Sequence, residues 1–219
     1  MNTALILDFL SELEKNNSKE WMDANREWYE EAREEFKKLV GYLLEEMASF
    51  DEGLRTVTPK ESIFRINRDI RFSKDKRPYK NNFGAFMAEG GRKTPGAGYY
   101  LHMQAGNESF AGGGIYMPPS PLLAKIRQEV DYNAGELKRI VEEPEFRSTF
   151  GAIKGEKLKT APKGYPKDHP NIDLLRLKSF VVTKGLSDEE LRSQNIHEYL
   201  VGIFRTQRAF NDYLNVAIS

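Results

Sequence analysis

The hydrophobic period changes twice along this chain, and those two changes restrict the fold more than any single motif does. From Thr3 to Met47 apolar residues recur at helical spacing: Leu5, Ile6, Phe9, Leu10 and Leu13 first, then Trp21, Trp28, Ala32, Phe36, Leu39, Leu43 and Met47. The spacing predicts a first helix ending at Asn16 and Asn17, followed by one long amphipathic helix with Asn17 as its cap and Glu20 completing a capping box. Trp21 and Trp28 lie in helical register and are read as core. From Ser62 the period becomes two, and from Pro118 it is helical again, with further capping boxes at Ser187/Glu190 and Asn195/Glu198. Strands grouped in the middle of helices, with no alternation of the two, predict an α+β fold: a central antiparallel sheet flanked by N-terminal and C-terminal helices. The organisation expected is one domain over residues 1–219, helical over 1–50, mainly strands over 60–117 and mainly helical over 118–219.

Within the strand region, Phe64, Ile66, Ile70 and Phe72 are expected on one face of an extended segment, with Arg65, Asn67, Asp69 and Arg71 on the other. Arg68 falls among the apolar positions, which calls for a bulge or a buried partner. Strands are predicted at 83–88, 98–104 and 109–116, the last two joined by a turn at Ala105-Gly106-Asn107-Glu108. Glycine is dense between Gly90 and Gly114, as tight turns, close backbone approach or a mobile loop would require. Ser120 and Pro121 are read as the start of helices that continue to about Phe150.

Charge is balanced overall, 33 basic against 33 acidic residues, so net charge does not draw the molecule to nucleic acid or to an anionic membrane surface. It is unbalanced locally. Lys60 to Lys80 holds eight basic and three acidic residues, and the breaker-rich run from Lys154 to Pro170, read as extended, adds a smaller excess. There is no cysteine, which removes disulfides, thiolate metal sites and a cysteine nucleophile. Without a signal-like start or an apolar run of about 20 residues, the expectation is a cytoplasmic protein with no membrane span. No phosphate loop, dinucleotide fingerprint, nucleophile elbow or zinc-protease motif occurs. Asn82-Phe83-Gly84-Ala85-Phe86 is only loosely like an RNA-recognition strand, because its spacing puts Phe83 and Phe86 on opposite faces.

The pattern Arg65-x-x-Arg68-Asp69-x-Arg71-Phe72-x-x-Asp75-Lys76-x-x-Tyr79 resembles, position for position, the motif of a bacterial and fungal family known as domain of unknown function 2461. The similarity extends over nearly the whole chain, including the helix start at 17–21, the glycines 112–114 and the turn at 168–170. It implies no activity, cofactor or catalytic residue, so the chemistry rests on the residues themselves.

Arg65, Arg68, Arg71, Lys74 and Lys76 form the candidate anion site, since guanidinium forks and ammonium groups suit phosphate or carboxylate. Arg65 and Arg71 are separated by roughly 20 Å along an ideal strand, whereas Arg71, Lys74 and Lys76 could gather where the strand curls. Asp69, Asp75, His102 and Tyr79 are candidates for positioning or catalysis. The two aspartates should have lowered pKa values beside arginines, and His102 should share a polar row with Tyr100 and Gln104. His169 and His197 show no metal-triad spacing. No cofactor is indicated. Three functions follow: binding of, or catalysis on, a phosphorylated or otherwise anionic small molecule; nucleic-acid binding by one stripe made of the basic strand and the Lys154–Lys167 run; and an ion-pair network within a protein-interaction module.

Overall fold

The computed structural model describes residues 1–219. The chain opens with helices α1 (Thr3–Lys15), α2 (Lys19–Ala24), α3 (Arg26–Met47) and the short α4 (Pro59–Ser62). Strands β1 (Phe83–Met87), β2 (Gly98–Met103) and β3 (Ser109–Ile115) follow, then α5 (Ser120–Glu142), α6 (Pro144–Phe150) and α7 (Ile172–Leu175). Strand β4 (Phe180–Leu186), α8 (Asp188–Leu191) and α9 (Ile196–Ile218) complete it. The fold is α+β: one antiparallel sheet in the order β1-β2-β3-β4, with helices packed on it.

One-sided burial follows from the alternation within each strand. Phe83, Ala85 and Met87 of β1, Tyr99, Leu101 and Met103 of β2, and Phe180 and Val182 of β4 join the helices in a single apolar cluster that runs from α1 to α9. Phe9 sits at one end of it, with Trp21, Trp28, Tyr29 and Phe83 around its ring. The two tryptophans are therefore packed against the core, as their spacing indicates. The opposite sheet face carries Gly84, Phe86, Tyr100, His102, Phe110, Val181 and Thr183, and no helix covers it.

Several local expectations change. The long second helix is broken at Asn25, whose φ and ψ of −114° and 29° are not helical. Its cap is Ser18, which accepts from the Trp21 amide. Asn17 is committed elsewhere: its side-chain amide donates to the Tyr79 carbonyl at 3.0 Å and its oxygen accepts from the Tyr79 amide at 3.1 Å. The capping box at Ser187/Glu190 is present, whereas Asn195 makes no side-chain cap bond. Helix α5 begins at Ser120 with Pro119 in the cap position. The 105–108 turn uses Gly106 and Asn107 at positive φ, and the Asp188 carboxylate accepts from both amides.

Strand β4 is an addition to the sequence reading. Its Phe-Val-Val-Thr start has the β-branched content of a strand, but it follows a long irregular stretch. The Lys154–Pro170 run is extended only at its start, where Lys154 bridges to Val181 and Lys157 to Leu177.

Candidate functional site

The basic segment is not one straight strand. After α4 it makes single bridges, Ile63 to Ala85 and Asn67 to Tyr79, with Phe64 donating to the Gly84 carbonyl, Arg68 to that of Pro78 and Lys80 to that of Ile66. It is thus an irregular hairpin laid along the free edge of β1. The expected common apolar face does not form: Ile66 is buried and Ile70 half-buried, but Phe64 is at the surface and Phe72 is 94% exposed. Phe64 faces the cleft side of the sheet instead, and Phe72 lies on the exposed tip of the hairpin.

Arg68 is 24% exposed and pairs with Asp75 at 3.0 Å, while donating to the Arg77 carbonyl and to Ser73 Oγ. Arg77 holds the same Asp75, Arg71 forks onto Asp69, and Lys76 Nζ donates to the Ile70 carbonyl. The aspartate pKa values are lowered, first by the arginine side-chain hydrogen bonds, Arg71 for Asp69 and Arg77 for Asp75, and then by the amides of those arginines. Three of the five expected anion ligands, Arg68, Arg71 and Lys76, are therefore engaged in bracing their own loop. Lys74 is exposed on that loop. Tyr79 is a core residue, 8% exposed, and its backbone is the one that Asn17 holds.

Arg65 differs from its neighbours. It is exposed, contacts no carboxylate, acts on Asp69 only through space, and lies close enough to Lys80 to disfavour that ammonium. Lys80 in turn is half-buried, also without an anionic partner, with Nζ 5.5 Å from the centre of the Phe64 ring. Its pKa is lowered by burial first and by Arg65 second.

Lys80 lines a cleft on the uncovered sheet face, with a volume of about 750 Å³, and Arg65 lies outside the lining, near enough to act on Lys80 by charge. Phe86, Tyr100, Phe110, Val181 and Thr183 form its floor; Phe64, Lys80 and Arg92 stand on one side and Tyr116 to Pro119 on the other. Arg92 is held by Nη1, which donates to the Lys60 and Glu61 carbonyls. Glycine makes room for the aromatic floor: a Cβ on Gly84 would lie 2.7 Å from the Tyr100 hydroxyl, and one on Gly98 would lie 2.7 Å from the Phe86 ring. A mostly apolar concavity of this size with a few convergent polar groups is the usual form of a small-molecule site.

His102 does share a row with Tyr100 and Gln104. Its Nε2 is 3.0 Å from Gln104 Oε1, its Nδ1 lies 3.3 Å from Asn82 Nδ2 and 3.4 Å from the Tyr100 hydroxyl, and its ring stacks on Phe110. These contacts suit a neutral imidazole protonated at Nε2, with Nδ1 as acceptor. Burial lowers its pKa, against smaller raising effects of Gln104 and Glu108. A depressed histidine pKa means that the unfolded chain binds more protons, so stability from this group is lost as pH falls below about 6.5. The melting temperature of the wild type should therefore drop more than that of His102→Gln between pH 7 and pH 5. Parallel curves would remove His102 as the cause.

The other histidines engage separate partners, His169 the Asp131 carboxylate and His197 the Tyr42 ring. No three His, Asp or Glu side chains converge as a metal-binding set. Phe83 and Phe86 do lie on opposite faces, one in the core and one in the cleft. The Lys154–Lys167 run flanks β4 and the basic hairpin flanks β1, at opposite edges of the sheet and roughly 24 Å apart by strand spacing. Sequence reasoning missed Arg92, Phe86, Phe110 and Tyr116 as cleft residues; the one available signal was the glycine density around them.

The sequence model of the family described as "Conserved hypothetical protein (DUF2461)" matches residues 5–213, and the chain belongs to that family. No curated protein and no solved structure matches the chain. No helix is long and apolar enough to cross a membrane.

Proposed function

We propose that this member of the family binds a small anionic molecule with a flat apolar part, the apolar part lying on the aromatic floor of the cleft and the anion between Lys80 and Arg65. The observation that carries this reading is the pair itself. Two cations are held near each other with no ion pair to either, one of them half-buried and Arg65 reaching Asp69 only through space, while Arg68, Arg71 and Arg77 of the motif each contact a carboxylate. A half-buried ammonium beside a like charge is disfavoured, and a bound anion removes that penalty. Arg92 supplies further donors on the same wall. The site therefore keeps the anionic-ligand class expected from the sequence but moves it from the 68–76 loop to the cleft edge.

A melting-temperature panel of nucleotides, sugar phosphates and polyphosphates tests this. A ligand present at 100 times its Kd stabilises by about 2.7 kcal/mol, several degrees for a chain of this size. The shift should vanish in Lys80→Met and Arg65→Ala and persist in Arg71→Ala. No shift with any compound at millimolar concentration sinks the reading. Binding to generic single-stranded DNA or RNA with a steep salt dependence would favour nucleic acid instead, although the single basic stripe that reading began with is split across the sheet.

A further inference from the structure

We propose that Lys80 is a nucleophile that forms an imine with a carbonyl group of the ligand. The proposal rests on the cleft reading above for the ligand's position, and adds a covalent step to it.

Lys80 is the one lysine lining the cleft. Several lysines of the chain have acceptors, among them Lys154 with Thr183, Lys157 with Asp173, Lys178 with Glu156 and Lys125 with the C-terminal carbonyls, and most of those without one are exposed. Lys80 has none, and its Nζ faces the Phe64 ring. Its main chain is fixed, since its amide donates to the Ile66 carbonyl at 2.8 Å and the preceding residue is bridged to Asn67. The side chain therefore starts from a set point on the main chain, and its tip lies over the Phe64 ring. Tyr100 packs edge-on against the same Phe64 ring, so a flat ligand resting on Tyr100 has its edge near the amine.

A lysine is a weak nucleophile while protonated, and becomes a good one where an apolar wall and a second cation favour the neutral form. Half-burial among the apolar residues of the cleft and the nearby Arg65 favour the neutral amine, and the lowered pKa of Lys80 agrees with them, whereas the face of the Phe64 ring at 5.5 Å favours the ammonium. In the step itself the neutral Nζ adds to the carbonyl carbon, the carbonyl electron pair moves to oxygen, and two proton transfers from nitrogen and solvent release that oxygen as water. A carbon–nitrogen double bond replaces the carbon–oxygen one, with no oxidant or reductant. The ligand class is an aldehyde or ketone that also carries a phosphate or carboxylate.

Pyridoxal 5′-phosphate serves as a chemical probe, because it joins a flat ring, an aldehyde and a phosphate. Brief exposure of the full chain at substoichiometric probe, followed by borohydride and peptide mapping, should place the label on Lys80 at least tenfold above the mean of the other lysines. Lys80→Arg should abolish that peak, and Arg65→Ala should slow its appearance. Pyridoxamine 5′-phosphate, which has no aldehyde, reports binding alone through the melting temperature. A melting shift with the amine probe but no enrichment at Lys80 with the aldehyde overturns the imine and leaves the binding reading intact. Enrichment at Lys80 without any melting shift upholds the nucleophile and removes the anion site. Neither signal overturns both.

Discussion

Arg208→Ala will lower the stability of this protein by about 3 kcal/mol, the lower end of what removing half of a buried ion pair costs. Arg208 on α9 pairs with Asp51, just beyond α3, and with Asp212 at 2.8 Å, and the Tyr99 hydroxyl on β2 donates to the same Asp51 at 2.8 Å. Asp51 is the most enclosed carboxylate of these, its side chain 15% exposed, and Arg208 is 32% exposed. Burial and then Asp51 keep the Tyr99 hydroxyl protonated well above the usual tyrosine range, so it remains a donor. Removing Arg208 leaves Asp51 with a single hydroxyl, and three elements lose their shared anchor. The expected fall in melting temperature is about 6–12 °C for a chain of this length. Urea denaturation of Arg208→Ala, Asp51→Asn and the double variant Asp51→Asn/Arg208→Met separates the pair from its surroundings, because the double variant buries no unmatched charge. A loss below about 1 kcal/mol in Arg208→Ala, the level of an exposed pair, would show that this network carries little.

That network also shows where sequence reasoning ended. Asp51, Tyr99 and Arg208 are far apart in the chain, with nothing in their spacing to connect them; only the packing of α9 across the sheet brings them together. The elements themselves were legible, because period and capping are local. The helices of the first 47 residues, β1 to β3 and the 105–108 turn all follow from apolar spacing and positive-φ residues. The cap at Ser18 was not, since Asn17 is taken up by Tyr79 some sixty residues later, and neither was the break at Asn25.

The basic segment divides in the same way. Its local aspartates were visible in the sequence, and the structure closes the Arg68–Lys76 part of it onto them. The cleft was not visible, because it is assembled from all four strands, the hairpin edge, the 92–96 segment and the 116–119 loop, which are scattered along the chain. Period two on that hairpin misled for a physical reason. An edge segment held by single bridges does not keep one face towards the core: Ile66 is buried, while Phe64 lines the cleft and Phe72 is exposed.

Gly113→Ala should be the most damaging single substitution in the sheet, with a loss of more than about 4 kcal/mol or no soluble protein. Gly113 has φ of +145°, and a Cβ built on it would lie 2.0 Å from the Gly98 carbonyl oxygen and 2.8 Å from Gln207 Nε2. Gln207 is fully buried and donates to that same carbonyl at 3.0 Å, while its own Oε1 has no partner. The added methyl would force β3 from β2 and break the one bond that fixes this amide to the sheet. Neighbouring Gly114 is similarly confined, 2.2 Å from the Phe180 carbonyl oxygen by the same construction. Both glycines line the cleft on one side and meet α9 on the other. At this point the wall between core and cleft is bare backbone, which lets α9 seat closely without filling the site. Gly202→Ala is the matched control: it lies exposed on α9, a Cβ there meets nothing within 4 Å, and alanine in a helix should stabilise by about 0.5–1 kcal/mol. If urea denaturation places Gly113→Ala within about 1 kcal/mol of the wild type, the close approach of β3, β2 and α9 is not what sets the shape of the cleft.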